Sequence, residues 1–303
     1  MLISLLLLSA PAERIAYTLK GNVWTCNLDG SAKQLVSKNG SSPCWSPDRN
    51  RLCFVRKGSL VVVDLASRRE TTVWKGRTAM GQPSWGKNWS VGRWGDGNPK
   101  PRGGDSIVFC HSELEGDFAQ ASSSGNRFEN KGFLMLPKND RLLSPTWSPS
   151  GKRMALSING DVWMSEMAVG TGGADSGWQT HRLIASGTYD YATNRADMYF
   201  LKADQIAWSP DEKRIAYVRT AQGTAELWLA DLNMRVWTLQ ASSVRQVTGL
   251  QVADVTFSRN GTKLICEVWS AMERSGDFRG LSVYDITTRK WKNLIKDAIE
   301  PAM

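Results

Sequence analysis

One short motif recurs along this chain and dictates most of what it can fold into. Trp45-Ser46-Pro47-Asp48 precedes Arg51-Leu52-Cys53-Phe54-Val55, and Trp147-Ser148-Pro149-Ser150 precedes Arg153-Met154-Ala155-Leu156. Trp208-Ser209-Pro210-Asp211 precedes Arg214-Ile215-Ala216-Tyr217-Val218, and Phe257-Ser258-Arg259-Asn260-Gly261 precedes Lys263-Leu264-Ile265-Cys266. In each copy an apolar residue follows the aromatic by seven positions, with Lys or Arg just before it. Such a unit reads as a β-hairpin. Pro pre-sets φ, Ser, Asp, Asn and Gly accept turn conformations, and the flanking residues are strand formers.

A third strand follows each hairpin: Leu60–Leu65, Asp161–Met164, Glu226–Leu232 and Leu281–Ile286. A weaker fourth strand closes each unit at Thr71–Trp74, His181–Ile184, Arg245–Thr248 and Lys292–Ile295. Four antiparallel strands repeating every ~40–60 residues are the pattern of propeller blades. A fifth unit starts at Gln82-Pro83-Ser84-Trp85 and is interrupted by a Gly/Pro-rich insertion at 86–104. Its second strand is expected at Ser106–Cys110 and its third at Gly132–Leu136. A sixth unit lies at the N-terminus, with strands at Arg14–Tyr17, Asn22–Leu28 and Lys33–Val36, and it lacks an aromatic first strand. The missing strand is expected at 297–303. Glu300-Pro301-Ala302-Met303 has the same x-Pro-x-bulky form as Ser42-Pro43-Cys44-Trp45 and Ser144-Pro145-Thr146-Trp147. The expected fold is therefore all-β: a six-bladed β-propeller of four-stranded antiparallel blades, its ring closed by the C-terminal strand joining the N-terminal blade. Closure removes the open edges of a curved row of sheets.

These repeats resemble those of the TolB-like propeller family, whose blades carry a W-S-P-D-G-x-x-I-A-F hairpin. Asn27-Leu28-Asp29-Gly30 with Gln34-Leu35-Val36 is similar to that family's strand ending. The resemblance covers roughly 13–303, without room for the N-terminal α/β domain of TolB itself. It implies a propeller, usually exported and used for protein–protein contacts, and it implies no partner-contact residues, because the matched motifs build blades. Similar propellers accompany prolyl oligopeptidase-type hydrolase domains, which need a Gly-x-Ser-x-Gly elbow. The chain has none; Gly173-Ala174-Asp175-Ser176-Gly177 places its serine one position late. Oligogalacturonate lyase-type propellers hold a metal with several His. This chain has two, His111 and His181, so neither a metal nor any other cofactor is expected.

The N-terminus reads Leu2-Ile3-Ser4-Leu5-Leu6-Leu7-Leu8, then Ser9-Ala10-Pro11-Ala12, an apolar run followed by small residues. We read 1–12 as a signal peptide or apolar N-terminal segment and 13–303 as one propeller domain, periplasmic or extracellular if 1–12 is cleaved and cytoplasmic otherwise. No apolar run is long enough for a transmembrane span. The five cysteines show no metal-ligand spacing. Cys44 and Cys53 flank one hairpin turn and should lie side by side. Two small buried thiols are the simpler expectation for them, although an exported protein could bond them.

Binding in propellers concentrates in loops at the channel mouth. The long connections 111–131, 187–203 and 270–280 should gather on one face. There we single out Tyr189, Asp190, Tyr191, Arg195, Tyr199, Phe118, Phe278 and Arg279 for a protein partner, since Tyr and Arg are enriched in interface hot spots. Gly-Asp-Phe occurs twice, at 116–118 and 276–278. The same loops carry Glu113, Glu115, Asp117, Asp190, Asp197, Glu273 and Asp277, the basis of an alternative reading as a polysaccharide or peptide hydrolase or lyase. A cytoplasmic scaffold is the third reading. The formal net charge of +9 points to anionic surfaces. Arg49, Arg51, Lys152, Arg153, Lys213, Arg214 and Lys263 all fall in first-hairpin turns on the opposite face, where solvation is the plain account. Trp89, Arg93 and Trp94 in the 86–104 insertion are the candidates there for an anionic polymer or glycan.

Overall fold

The computed structural model describes residues 13–76, 79–87, 105–111, 118–123, 127–129, 142–158, 161–167, 178–184, 205–221, 224–235, 238–247, 251–269 and 278–303. Among them every regular element is a β-strand, in keeping with the alternating, β-branched and aromatic runs of the repeat. The first seven are β1 (Arg14–Leu19), β2 (Asn22–Asn27), β3 (Gln34–Ser37), β4 (Ser41–Trp45), β5 (Arg51–Arg56), β6 (Ser59–Asp64) and β7 (Glu70–Trp74). Next come β8 (Ala79–Gly86), β9 (Ser106–His111), β10 (Phe118–Ala121), β11 (Arg127–Glu129), β12 (Leu142–Trp147), β13 (Arg153–Ile158), β14 (Asp161–Met167) and β15 (Trp178–Ile184). The last nine are β16 (Ile206–Trp208), β17 (Arg214–Ala221), β18 (Thr224–Arg235), β19 (Thr238–Val247), β20 (Gln251–Phe257), β21 (Lys263–Trp269), β22 (Arg279–Asp285), β23 (Lys290–Lys296) and β24 (Ala298–Ala302).

These strands form six four-stranded antiparallel sheets. Five use consecutive strands, and the sixth has the order β24-β1-β2-β3, so the C-terminal strand completes the N-terminal sheet. Neighbouring sheets touch in succession, β4 with β8, β8 with β12, β12 with β16, β16 with β20, β20 with β24 and β24 with β4. This is a β-propeller of four-stranded blades.

The serine of the repeated motif explains the hairpin. Ser209 is fully buried; its N–H donates to Arg214 O, and its Oγ accepts from the Arg214 N–H and donates to Asp211 Oδ1. Ser46, Ser148 and Ser258 make the same N–H bond to the residue five positions on, and each Oγ accepts from that residue's N–H. One small hydroxyl thus satisfies a backbone donor that the turn would otherwise bury unpaired. The basic residue at the end of the turn reaches the next sheet. Arg51 lies over Trp85 at 5.0 Å and pairs with Asp105 at 3.4 Å, and Arg214 lies over Phe257 at 5.7 Å and donates to Gly261 O at 2.8 Å. Arg153 pairs with Glu212 at 3.2 Å. These residues clasp blades together rather than projecting freely at the rim.

The x-Pro element breaks the ladder between first and second strands. Register shifts fall between Ser41 and Cys44, Met80 and Ser84, and Leu143 and Thr146, where Pro offers no N–H. Ser42 and Glu300 share one left-handed backbone, φ 52° and 53°, so the proposed likeness of the C-terminal strand to β4 extends to its dihedrals. The core is a ring of interfaces. Trp85, Ile107 and Phe109 pack on Val62 and Trp74 of the preceding sheet, and Tyr17 and Cys26 pack with Ile265 and Leu281.

Two expectations on strand placement are corrected. The third strand of the interrupted unit is β10 at Phe118–Ala121, not Gly132–Leu136, and β11 follows it. Six residues close β9 onto β10, a lower loop-closure cost than the twenty or so needed to reach 132. The small Ala121, 2% exposed, also fits the interface beside Trp85. The fourth strand expected at Arg245–Thr248 is present over Arg245–Val247 but starts earlier: β19 begins at Thr238 and pairs with an extended β18 out to Arg235, while Thr248 lies outside the described residues. Cys44 and Cys53 are direct cross-strand partners and both are free, buried thiols.

Candidate functional site

The innermost strands surround a central cavity of about 320 Å³. Each enters from the side of the blade-to-blade connections and leaves at the first-hairpin turn, so the two mouths have different chemistry. Trp45, Trp85, Trp147 and Trp208 wall the middle and are 8%, 7%, 4% and 6% exposed. Their buried faces wedge the blades apart. Trp208 Nε1 donates to Thr146 O of the preceding blade at 3.2 Å, and Trp147 N donates to Ser84 Oγ at 2.9 Å.

At the loop-side end, the position three before the aromatic is polar throughout: Ser42, Gln82, Ser144, Gln205, Asp254 and Glu300. Gln82 Nε2 donates to Pro43 O and Pro301 O, spanning two neighbouring blades. Glu300 accepts from Thr18 Oγ1, Ser42 N and Ser42 Oγ at 2.7–2.9 Å. Asp254 and Glu267 are register partners across β20 and β21, and only 4% and 6% exposed. Glu267 accepts from Glu300 N at 3.2 Å. Burial holds the Asp254 carboxyl well above the usual carboxylate range, and the neighbouring Glu267 and Glu300 add to this. Burial also raises Glu267, against hydrogen bonds from Trp269 and Glu300 N–H that favour its ionised form. These three carboxylates were absent from the sequence candidates. Asp254 and Glu300 share the place three before the bulky residue of the first strand, a signal visible only when the copies are aligned on that residue, whereas Glu267, in β21, has no such signal.

Glu267 continues outward to the surface. Its Oε1 accepts from Trp269 Nε1 at 3.0 Å. Trp269 is 44% exposed, and the Arg279 guanidinium lies 4.5 Å from its ring centroid. These two residues are register partners at the root of the 270–277 connection. Arg279 was a sequence candidate; Trp269, its partner, was not, because it falls outside the repeated Trp positions. Phe278 is half-buried and packs on the core cluster around Val252, Val255 and Val268. Phe118 starts β10 opposite Cys110, so it belongs to a strand rather than to a loop tip. His111 ends β9 and His181 lies in β15. Tyr189, Asp190, Tyr191, Arg195, Tyr199, Trp89, Arg93 and Trp94 lie outside the described residues. So do Glu113, Glu115, Asp117, Asp197, Glu273 and Asp277. Among the described residues, no three His, Cys, Asp or Glu are placed to hold a metal ion.

At the turn-side mouth the basic residues divide. Arg51, Arg153, Arg214 and Lys263 are held by Asp105, Glu212, Gly261 O and Asp285. Arg49 and Lys87 instead line the cavity itself.

No protein-family model and no curated protein matches the chain. Solved structures do resemble it. A chain of the nidogen/laminin complex aligns over 96% of this chain and 98% of its own length, with TM-score 0.62 and 13% identity. A putative TolB from Agrobacterium tumefaciens aligns over 93% and 88%, with TM-score 0.58 and 16% identity. At these identities the likeness is one of fold. No helix among the described residues is long and apolar enough to cross a membrane. The conclusion at this level is an all-β propeller of four-stranded antiparallel blades, akin in fold to propellers of which one comes from a complex of two proteins.

Proposed function

We propose that the chain is a six-bladed, TolB-like propeller that works as a non-catalytic, exported binding module, gripping a protein partner through its loop-side face. One observation carries this reading: Trp269 stands exposed at the root of the 270–277 connection, its ring face covered by Arg279 and its indole N–H fixed by the buried Glu267. Trp and Arg dominate interface hot spots, and a Trp held rigid before binding loses little freedom on contact. The connections 112–117 and 187–203, the latter with Tyr189, Tyr191, Arg195 and Tyr199, would extend that surface. Among the described residues, the carboxylates that converge, Asp254, Glu267 and Glu300, lie at the junction of the ring-closing sheets, the first two buried, and none lines the cavity. That placement favours binding over acid–base chemistry on a polysaccharide or peptide. Export rests on residues 1–12, and N-terminal sequencing of the mature protein tests it.

The contact is tested by affinity capture from envelope extracts with Trp269→Ala and Arg279→Ala chains beside the unaltered protein. The expected outcome is recovery of the bound protein reduced at least tenfold for Trp269→Ala, with an unchanged melting temperature. A loss of about 2 kcal/mol or more, usual for a hot-spot Trp, has that size. Equal recovery from all three chains overturns the reading.

A further inference from the structure

We propose that the turn-side mouth of the central channel binds a small organic anion, a carboxylate or phosphate carried on a planar apolar body. The site would be built by Arg49, Trp45, Lys87 and Arg259. It lies at the end of the channel opposite the loop-side face and does not depend on the partner reading above.

Arg49 differs from the arginines that end the first-hairpin turns. Arg51, Arg153 and Arg214 each have a carboxylate or carbonyl acceptor. Arg49 has none among the described residues, and its guanidinium rests 4.9 Å over the Trp45 ring. Its backbone is left-handed, φ 63°, and its side chain lines the cavity at the mouth. Burial, together with repulsion from Arg259, pushes its pKa down to about 10, only partly offset by Glu13. Glu13 is itself engaged, its Oε1 accepting from Asn260 N at 3.1 Å. A cation held in a cavity wall, repelled by another and lacking an acceptor, is stabilised by an incoming anion.

The repeat shows how the charge is concentrated. Two positions after the aromatic, three blades carry Pro47, Pro149 and Pro210, whereas two others carry Lys87 and Arg259. Both substitutions put a cation where a turn proline would stand. Below them the cavity is walled by indoles, and its volume of about 320 Å³ is that of a small-molecule pocket. A guanidinium fork therefore faces a polar head group at the mouth, while flat rings line the space behind it.

The test uses the full chain with naphthalene-2-carboxylate, its neutral carboxamide and phenyl phosphate, read by indole fluorescence and by melting temperature. The carboxylate or the phosphate should bind saturably and raise the melting temperature. The carboxamide should bind at least tenfold more weakly than the carboxylate. Arg49→Gln should lose at least tenfold in affinity for the anions and none for the carboxamide, and the exposed Arg68→Gln should behave as the unaltered chain. Arg259→Gln, whose side chain is exposed, serves if Arg49→Gln does not fold, with a loss of about threefold expected from one nearby charge. The stronger of the two anions names the head group. Absence of binding by both anions overturns the proposal. So does equal affinity for carboxylate and carboxamide, or an Arg49→Gln chain that binds as tightly as the original.

Discussion

At the scale of single residues, the motif serine matters more than its size suggests. Ser209 is fully buried and serves the Arg214 N–H and Asp211 at once. Removing the hydroxyl leaves a buried donor without a partner, which costs roughly 1–3 kcal/mol. Ser209→Ala should therefore lower the urea midpoint without changing the slope, whereas a midpoint equal to that of the unaltered chain would show the turn held by its proline alone. The tryptophans divide by environment at this scale. Trp45, Trp85, Trp147 and Trp208 are all nearly buried at the contacts between blades. Trp269 is exposed and belongs to no repeated position, so no spacing rule could single it out.

At the scale of elements, the closing strand β24 is held by chemistry as well as by pairing. Its register with β1 runs Ala16 to Ala302, Thr18 to Ile299 and Leu19 to Ala298. Glu300 ties it to Thr18 of its own sheet and to Ser42 of the next, and its N–H ties it back to Glu267. Three carboxyls share this junction, and among the described residues Arg279 is the cation acting on Glu267. Asp254 and Glu267 have folded-state pKa values raised above their unfolded ones, so the folded state holds protons that the unfolded chain releases. Their stabilising contribution is fully present below the unfolded values of about 4 and is lost as pH rises through the folded ones. Asp254→Asn keeps the shape without the ionisation. The gain in melting temperature from Asp254→Asn over the unaltered chain should thus be larger at pH 8 than at pH 5. A gain independent of pH would show that these carboxyls ionise freely. The burial of these acids was not legible beforehand: β20 and β21 pair locally, but β24, which brings Glu300 to them, arrives only through closure of the ring.

At the scale of the whole molecule, every sheet is covered by two neighbours because the first and last strands share one sheet. Removing residues 297–303 strips β1 of one of its two partner strands and opens Ala16 and Trp45, which pack with Ala302, to water. The melting temperature should fall by on the order of 10 °C, the equivalent of several kcal/mol for a chain of this size. An unchanged value would mean that the ring does not need its clasp. The repeat determined this much by itself: hairpins, four-stranded sheets and a terminal strand completing the first sheet all follow from local periodicity and turn chemistry, which act over a few residues. The tertiary structure decided the rest. Which arginines are neutralised by the next blade, which acids are buried together, and which tryptophan is left in water depend on contacts between residues far apart in the chain. Loop closure likewise settled the third strand at Phe118–Ala121 over a more hydrophobic run. Pattern reports what a segment can become, whereas desolvation and charge pairing are set by neighbours that only the closed ring supplies.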